Sequence, residues 1–324
     1  TYFPNEFFSA SMTMDISNQN KLSEFYEELK RLNIKIQRPD INKCYADFRS
    51  DKDNFYYALG AIKSVGYEAV SNIVDERLKN GEFKSISDFI IRVNPKDINK
   101  LQLEGLIKAG AFDNIEPNRN SLLSSVPNLI LKSKNIFENK LINQIDLFEE
   151  NHHKDEELII KTEDWNFEER LSKEFESLGF FISDHPINQF KEFFQAYSIV
   201  DYSDFISDNN QNQSNIASTI LKVQEKKTSK GNSYAIIKLT DLSGVFELFI
   251  FSDLLEINRD IIKEGNSVML SLKKNTIDDL NRFKRINVLK IVSMNNLLDQ
   301  PIKNIEFSIN NLSQLKKIRE ILED

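Results

Sequence analysis

Two turns that combine lysine with glycine carry the residue types best suited to chemistry in this sequence. The first turn, directly before an amphipathic helix, consists of Lys63, Ser64, Val65 and Gly66. Small residues ending in glycine let backbone N–H groups, at the positive end of the following helix, face a phosphate. In the second turn, Lys108 and Gly110 give the same combination of lysine and glycine at another predicted helix end. Both turns predict phosphate contacts, and the alternative is that Gly66 is only a turn and Gly110 only a helix C-cap.

A lysine-rich loop between two predicted strands is the next candidate. Lys226, Lys227 and Lys230 lie in it, and residues 222–238 hold five lysines against one glutamate, so five minus one gives +4. Residues 273–290 hold six cations against two aspartates, again +4, and include Arg282, Lys284 and Arg285. Because the whole chain has a net charge of −8, any contact to DNA must be local. Solvated hairpin tips are the alternative interpretation.

Two aromatic residues accompany these cations. Tyr234 and Phe249 could offer stacking surfaces of the kind that single-stranded nucleic acids use. For Phe249, packing in the hydrophobic core is the preferred interpretation. The basic loop is predicted to contact a single strand.

Signatures of catalysis are missing from the sequence. It contains no phosphate loop, HExxH, paired CxxC or GxSxG motif. The acidic residues are scattered over predicted helix faces, whereas two-metal chemistry needs them clustered. His152 and His153 lack a third ligand, and His185 is interpreted as a helix-entry residue. We therefore expect a binding protein without catalytic residues, metal or cofactor of its own.

The predicted elements that position these residues change character along the chain. Periodicity and glycine spacing predict helices at 20–32, several short ones within 59–112, and others at 118–136, 164–178 and 186–196. The polar stretch 138–163 is the best linker candidate. Beyond the polar run at 209–213 the period becomes two, and five strands are predicted at 216–223, 233–241, 245–251, 267–274 and 283–292. A helix at 254–263 separates the third and fourth strands, which is the order of an OB-fold barrel.

Composition sets the remaining bounds. The 324 residues include one cysteine and no apolar run long enough for a membrane span, which fits a protein of the reducing cytoplasm. The absence of an initiator Met, and a strand and helix pattern at 305–322 that stops abruptly, indicate a fragment. Within the linker, Gln144, Asp146, Leu147 and Phe148 belong to a pentapeptide that could dock into an apolar pocket. A helix end with an apolar patch explains that spacing equally well.

The order of these parts resembles the alpha subunit of bacterial DNA polymerase III, the replicative polymerase of the C family. Residues 59–66 and 103–113 resemble the two halves of its helix-hairpin-helix region, and 144–148 matches its internal sliding-clamp motif in type and place. Residues 178–186 resemble a segment that precedes its OB domain. Two departures are that Ser64 and Asp184 stand where the family usually has glycine.

The resemblance implies a multidomain α+β chain: helical fingers remnant and helix-hairpin-helix region, an OB-fold β-barrel, and the start of a further α/β domain. The expected divisions are fingers end 1–50, helix-hairpin-helix 51–137, clamp-motif linker 138–163, helical connector 164–212, OB fold 213–295 and C-terminal domain 296–324. It also implies DNA-directed DNA synthesis by the parent protein, with Mg²⁺ held by palm residues that this chain lacks.

The partners implied by the resemblance are primer-template DNA, single-stranded DNA, the beta sliding clamp and the tau subunit, the last through the mostly absent C-terminal domain. Two alternatives stay open at this point. One is a free-standing repair or recombination factor built from the same DNA-binding modules. The other is a purely structural interaction protein. Three clustered aspartates upstream would favour the polymerase.

Overall fold

A computed structural model describes residues 3–51, 54–141, 158–228, 231–276 and 284–298. Several predicted features lie outside these ranges: Gln144, Asp146, Leu147, Phe148, Lys230, Arg282 and the expected C-terminal domain from residue 299 onward. The described chain has a helical first half followed by a five-stranded antiparallel sheet. None of the described helices has the length and apolar character to cross a membrane.

The first half is built mainly from helices. Its described helices are α1 (Pro4–Met14), α2 (Gln19–Arg31), α3 (Tyr67–Asn80), α4 (Ile86–Arg92), α5 (Lys100–Lys108), α6 (Arg119–Leu141) and α7 (Phe167–Leu178). A small sheet of two-residue strands, β1 (Ile36–Gln37), β2 (Arg49–Ser50) and β3 (Phe55–Tyr56), has the order β1-β3-β2. A short 3-10 turn, Leu59–Ala61, leads into the first lysine turn.

Local signals explain where these helices begin and end. The Asn18 side chain accepts from the Lys21 N–H and starts α2, and Asn99 forms a reciprocal capping box with Gln102 at the start of α5. Gly81 ends α3 with φ +85°, a conformation that favours glycine. Each of these boundaries follows from residues that are adjacent in sequence.

One hydrophobic core joins the whole helical half. It runs from Phe8 on α1, through Phe55 and Phe112, to Leu178 and Phe180 after α7. The expected divisions at 50/51 and 163/164 therefore do not separate independent cores. The end of the predicted linker is also docked on this core, since the Ile160 N–H donates to Ser125 Oγ on α6 at 2.7 Å.

A buried carboxylate fixes the segment that leads from α7 toward the sheet. Glu174 is 1% exposed, and its Oε1 accepts the N–H groups of Ile182 and Ser183 at 2.7 and 2.9 Å. The Arg119 guanidinium lies 4.0 Å from its other oxygen. Because a buried polar group needs such partners, Glu174 holds the backbone at residues 182–183 in one conformation.

The connector after α7 contains less regular helix than predicted. Residues Pro186–Phe193 form a 3-10 helix instead of the expected α-helix at 186–196. Its amphipathic pattern is still used, because Ile187 and Phe190 pack against Met269 and Met294 in a small core of their own. A short helix, α8 (Tyr202–Ser207), then precedes the sheet.

The second half confirms the predicted order of three strands, a helix and two strands. Its elements are β4 (Gln213–Lys227), β5 (Ser233–Thr240), β6 (Val245–Phe251), α9 (Ser252–Ile257), β7 (Ser267–Thr276), β8 (Lys284–Ser293) and α10 (Met294–Leu298). The strand order is β6-β5-β4-β7-β8. A register shift between Ile220 and Lys222 marks where β4 changes partner, pairing with β7 before it and mainly with β5 after it.

Candidate nucleic-acid interface

The first lysine turn exposes its tip and anchors its base. Lys63, Ser64 and Gly66 are exposed, whereas Val65 is 1% exposed and packs in the helical core. The Lys63 N–H donates to the Ser177 carbonyl at 3.0 Å, and the Val65 N–H donates to the Ile62 carbonyl at 3.2 Å. These contacts fix the turn on the protein and leave its outer face open.

Both outer residues of this turn have left-handed backbones. Ser64 has φ +66° and Gly66 has φ +71°. Gly66 is the N-cap of α3, and no side chain caps this helix end. The first-turn N–H groups therefore lack the usual side-chain acceptor, at the positive end of a 14-residue helix. This geometry suits a phosphate, with the Lys63 side chain beside it.

The second turn looks different. The Lys108 ammonium lies 2.8 Å from the Glu176 carboxylate, and the side chain is 18% exposed. Gly110 is buried with φ +82° and closes α5, since the Gly110 and Ala111 N–H groups donate to the carbonyls of Ile107 and Leu106. A Cβ on Gly110 would overlap the Arg119 guanidinium. This arrangement favours the C-cap interpretation, and a phosphate contact at Lys108 and Gly110 stays an unsupported prediction.

A groove of about 780 Å³ lies between β6 and β8. Phe249 is 50% exposed and Phe251 47% exposed, both on β6, and they line the groove. The preference for Phe249 as a core residue is therefore wrong. Along β6 the buried residues are Phe246, Leu248 and Ile250, so the alternating side chains at 247, 249 and 251 must point away from the core.

Cations and a further aromatic ring complete the groove. The Arg285 guanidinium lies 5.1 Å from the centroid of the Phe251 ring. The Tyr234 and Phe249 rings lie 6.4 Å apart with 25° between their planes. Lys227 also lines the groove, whereas Lys226 is exposed on β4 next to it in sequence. The groove thus brings together three predicted DNA-binding residues, Lys227, Tyr234 and Arg285, with Phe249, which the sequence offers as a possible stacking surface.

The sequence interpretation missed Phe251 and overcounted one lysine. Phe251 has the same strand parity as Glu247 and Phe249, which is the signal that could have found it. Lys274 is 6% exposed, and its ammonium donates to the carbonyls of Phe205 and Asp208. It therefore contributes structure and cannot serve a surface site. Lys284 begins β8, the strand that carries Arg285.

His185 is a packed residue at the junction between the two halves. Burial lowers its pKa to about 4, and its Nε2 lies 3.3 Å from Thr240 Oγ1 on β5. Its Nδ1 accepts the Ile187 N–H, which fits the expected helix-entry role. Within the described ranges, no group of three or more His, Cys, Asp or Glu side chains could hold a metal ion.

Comparisons with known proteins relate the chain to the alpha subunit of DNA polymerase III. Residues 33–122 match the model of the family described as "Helix-hairpin-helix motif". The DNA polymerase III subunit alpha of Caulobacter vibrioides is 30% identical over 282 residues, covering 86% of this chain and 25% of that protein. The Campylobacter jejuni subunit is 36% identical, covering 82% of this chain and 23% of that protein. The Borreliella burgdorferi subunit is 31% identical, covering 99% of this chain and 28% of that protein.

The chain thus spans about a quarter of the length of these curated relatives. A solved structure of a Replication Protein A heterotrimer bound to ssDNA also matches, at 16% identity and a TM-score of 0.22. That match covers 34% of this chain and 28% of the other.

Proposed function

Since the chain is homologous to the C-terminal part of DNA polymerase III alpha subunits, we propose that it is a segment of a replicative polymerase that holds DNA and contributes no catalytic residue. The observation that carries this proposal is the groove between β6 and β8. It brings two half-exposed phenylalanines, a tyrosine and two cations together on a protein of net charge −8.

Single-stranded DNA is the ligand that fits the groove best. Aromatic faces stack on unpaired bases of any sequence, and cations beside them contact the phosphates. The side chains of Phe249 and Phe251, two positions apart on one strand, are about 7 Å apart along it, twice the thickness of a base. The strand order and the helix between β6 and β7 support an OB-type module, whose sheet face takes oligonucleotides.

The test replaces both phenylalanines. Stacking contributes about 1–3 kcal/mol per base, so Phe249→Ala with Phe251→Ala, which removes two stacking rings, should weaken binding of a single-stranded oligonucleotide by at least about 30-fold. Phe167→Ala is the matched control, because Phe167 is 41% exposed on α7 and does not line the groove. Fluorescence anisotropy measures both. Equal affinity of the double variant and the control would refute single-strand binding in this groove.

For duplex DNA we propose the first lysine turn as the contact. The uncapped end of α3, the left-handed backbone at Gly66 and the exposed Lys63 support it. Lys63→Glu should weaken duplex binding equally for all sequences, because a phosphate contact carries no base information. A sequence-dependent loss would contradict this role.

The clamp contact is proposed from the sequence alone, since Gln144, Asp146, Leu147 and Phe148 lie outside the described residues. Leu147→Ala with Phe148→Ala should abolish capture of this chain by an immobilised sliding clamp, because a short peptide binds through such apolar anchors. Unchanged capture would refute the assignment. A clamp tether would raise the effective concentration of DNA at the other two sites.

A further inference from the structure

A second open cleft, of about 820 Å³, lies in the helical half away from the groove on the sheet. It is bounded by the end of α2, by β1 with the loop after it, and by the turn that follows α5. The charged side chains that line it are Lys30, Lys35, Arg38, Lys43, Asp40 and Asp113. Four cations minus two carboxylates leave a surplus of +2 at the cleft, against −8 for the whole chain.

The two carboxylates are already occupied by partners inside the protein. Asp113 forms two hydrogen bonds of 2.7 Å with the Arg119 guanidinium and one of 3.0 Å with Arg170. Asp40 accepts from Asn114 Nδ2 at 2.6 Å and from the Asn42 N–H at 2.8 Å. These bonds fix both carboxylates in place. Lys43 lies 3.7 Å from Asp40, and Lys30 donates to Glu27 at 3.3 Å. Within the described residues Lys35 and Arg38 form no ion pair, so these two cations keep most of their capacity for an external anion.

The cations are placed to meet a ligand from solvent. Lys35 and Arg38 are exposed, and the side chains of Lys30 and Lys43 are 40% and 60% exposed. One Arg38 nitrogen donates to the Ser183 carbonyl at 2.8 Å, which orients the guanidinium while leaving its other N–H groups for a second partner. Gln37 and Asn33 add amide groups to the wall. Lysine, arginine and side-chain amides are the groups that contact DNA phosphates.

The segment 177–183 connects this cleft to the first lysine turn. Its Ser177 carbonyl accepts the Lys63 N–H, and its Ser183 carbonyl accepts the Arg38 guanidinium. Six residues span at most about 20 Å, which is less than one turn of duplex DNA at about 34 Å. The helix-hairpin-helix match at residues 33–122 includes Lys35, Arg38 and Lys43 together with Lys63.

We infer that this cleft is a second phosphate-binding site for the same DNA duplex that the Lys63 turn contacts. The inference rests on the proposed function and adds to it a site assigned by charge and geometry. The ligand class is the sugar-phosphate backbone of double-stranded DNA, and Lys35 and Arg38 are its principal contacts. Binding is independent of sequence, because none of these groups reads a base edge from the cleft.

The experiment measures how the affinity of the 324-residue chain for a blunt duplex depends on salt. Each phosphate contact contributes about 0.9 to the slope of log K against log salt. Lys35→Ala with Arg38→Ala should therefore lower the slope by about 0.9–1.8. The matched control is Lys79→Ala with Lys84→Ala, two exposed lysines near the far end of α3 that remove the same charge outside the cleft. Circular dichroism melts verify that both variants fold.

The outcomes separate the inference from the proposed function. If the unmodified chain does not bind duplex DNA, the duplex contact proposed at the Lys63 turn and the cleft assignment are both wrong, whereas single-strand binding in the groove is tested separately. If the chain binds duplex DNA and Lys63→Glu weakens that binding, the contact at the Lys63 turn stands. If the variant of Lys35 and Arg38 then has the same salt slope as the control, only the cleft assignment fails. A slope change seen with a single-stranded oligonucleotide but not with the duplex would also overturn it. A lower slope for the duplex alone supports it.

Discussion

Ser64 offers the sharpest test of how this chain shapes its first lysine turn. Its φ of +66° is a left-handed conformation, which costs a residue with a side chain about 1–2 kcal/mol. Replacing it by glycine removes this cost but adds about 0.5–1 kcal/mol of backbone entropy to be lost on folding. Ser64→Gly should therefore stabilise the folded chain by roughly 0.5–1 kcal/mol.

The measurement is the thermal midpoint followed by circular dichroism, which should rise by about 1–3 °C. Ser71→Gly is the matched control: Ser71 lies inside α3, where glycine is a poorer helix former than serine, so its midpoint should fall. Duplex binding by Ser64→Gly should be retained, because glycine adopts the same backbone conformation. If Ser64→Gly lowered the midpoint as much as Ser71→Gly, the strain assigned to Ser64 would be refuted.

Two further predictions concern buried polar residues. Because burial lowers the pKa of His185 from 6.5 to about 4, the unfolded chain binds a proton there between these pH values and the folded chain does not. Stability should thus fall by about 1.4 kcal/mol per pH unit between pH 6.5 and about pH 4, and this contribution should be constant outside that window. Urea midpoints of His185→Gln should lack this component, and an unchanged pH dependence would show that His185 is not its source. Lys274→Met should destabilise the chain by about 1–3 kcal/mol, since it removes the buried hydrogen bonds to the carbonyls of Phe205 and Asp208. Hydrogen exchange should speed up at residues 202–208 while the salt slope for single-stranded DNA stays constant; a reduced slope would mean that Lys274 contacts the strand.

Local signals made much of the fold predictable. The strands at 233–241 and 245–251 were predicted within one residue of β5 and β6, because alternation and the glycine turn between them are both short-range features. Helix α3 is another such case, because Gly66 lies directly before it and Gly81 directly after it. Local signals do not predict the 3-10 helix at Pro186–Phe193. Its apolar spacing fits either helix type, and packing on the sheet selects the tighter one.

The site depends on distant pairs that no local pattern joins. Phe251 and Arg285 are 34 positions apart and meet only because β6 and β8 approach each other at the open side of the sheet. Lys108 and Glu176 are 68 positions apart and form an ion pair. The ammonium of Lys108, which the sequence predicts as a phosphate contact, therefore already has a carboxylate partner. Glycine and lysine at a helix end do not reveal whether the lysine has a partner in the fold.

Strand parity carries the information that a plain count of charges loses. Val268, Leu270 and Leu272 are buried on β7, and Lys274 shares their parity, so its side chain enters the protein although the residue is charged. Phe249 shares the parity of Glu247 on β6, so its ring leaves the core although the residue is apolar. The interpretations of Lys274 as a surface cation and of Phe249 as a core residue are wrong because they follow from residue type and ignore the face of the strand. In this five-stranded sheet, the face on which a side chain lies decides whether a single strand of DNA can reach it, and residue type then decides which contact it makes.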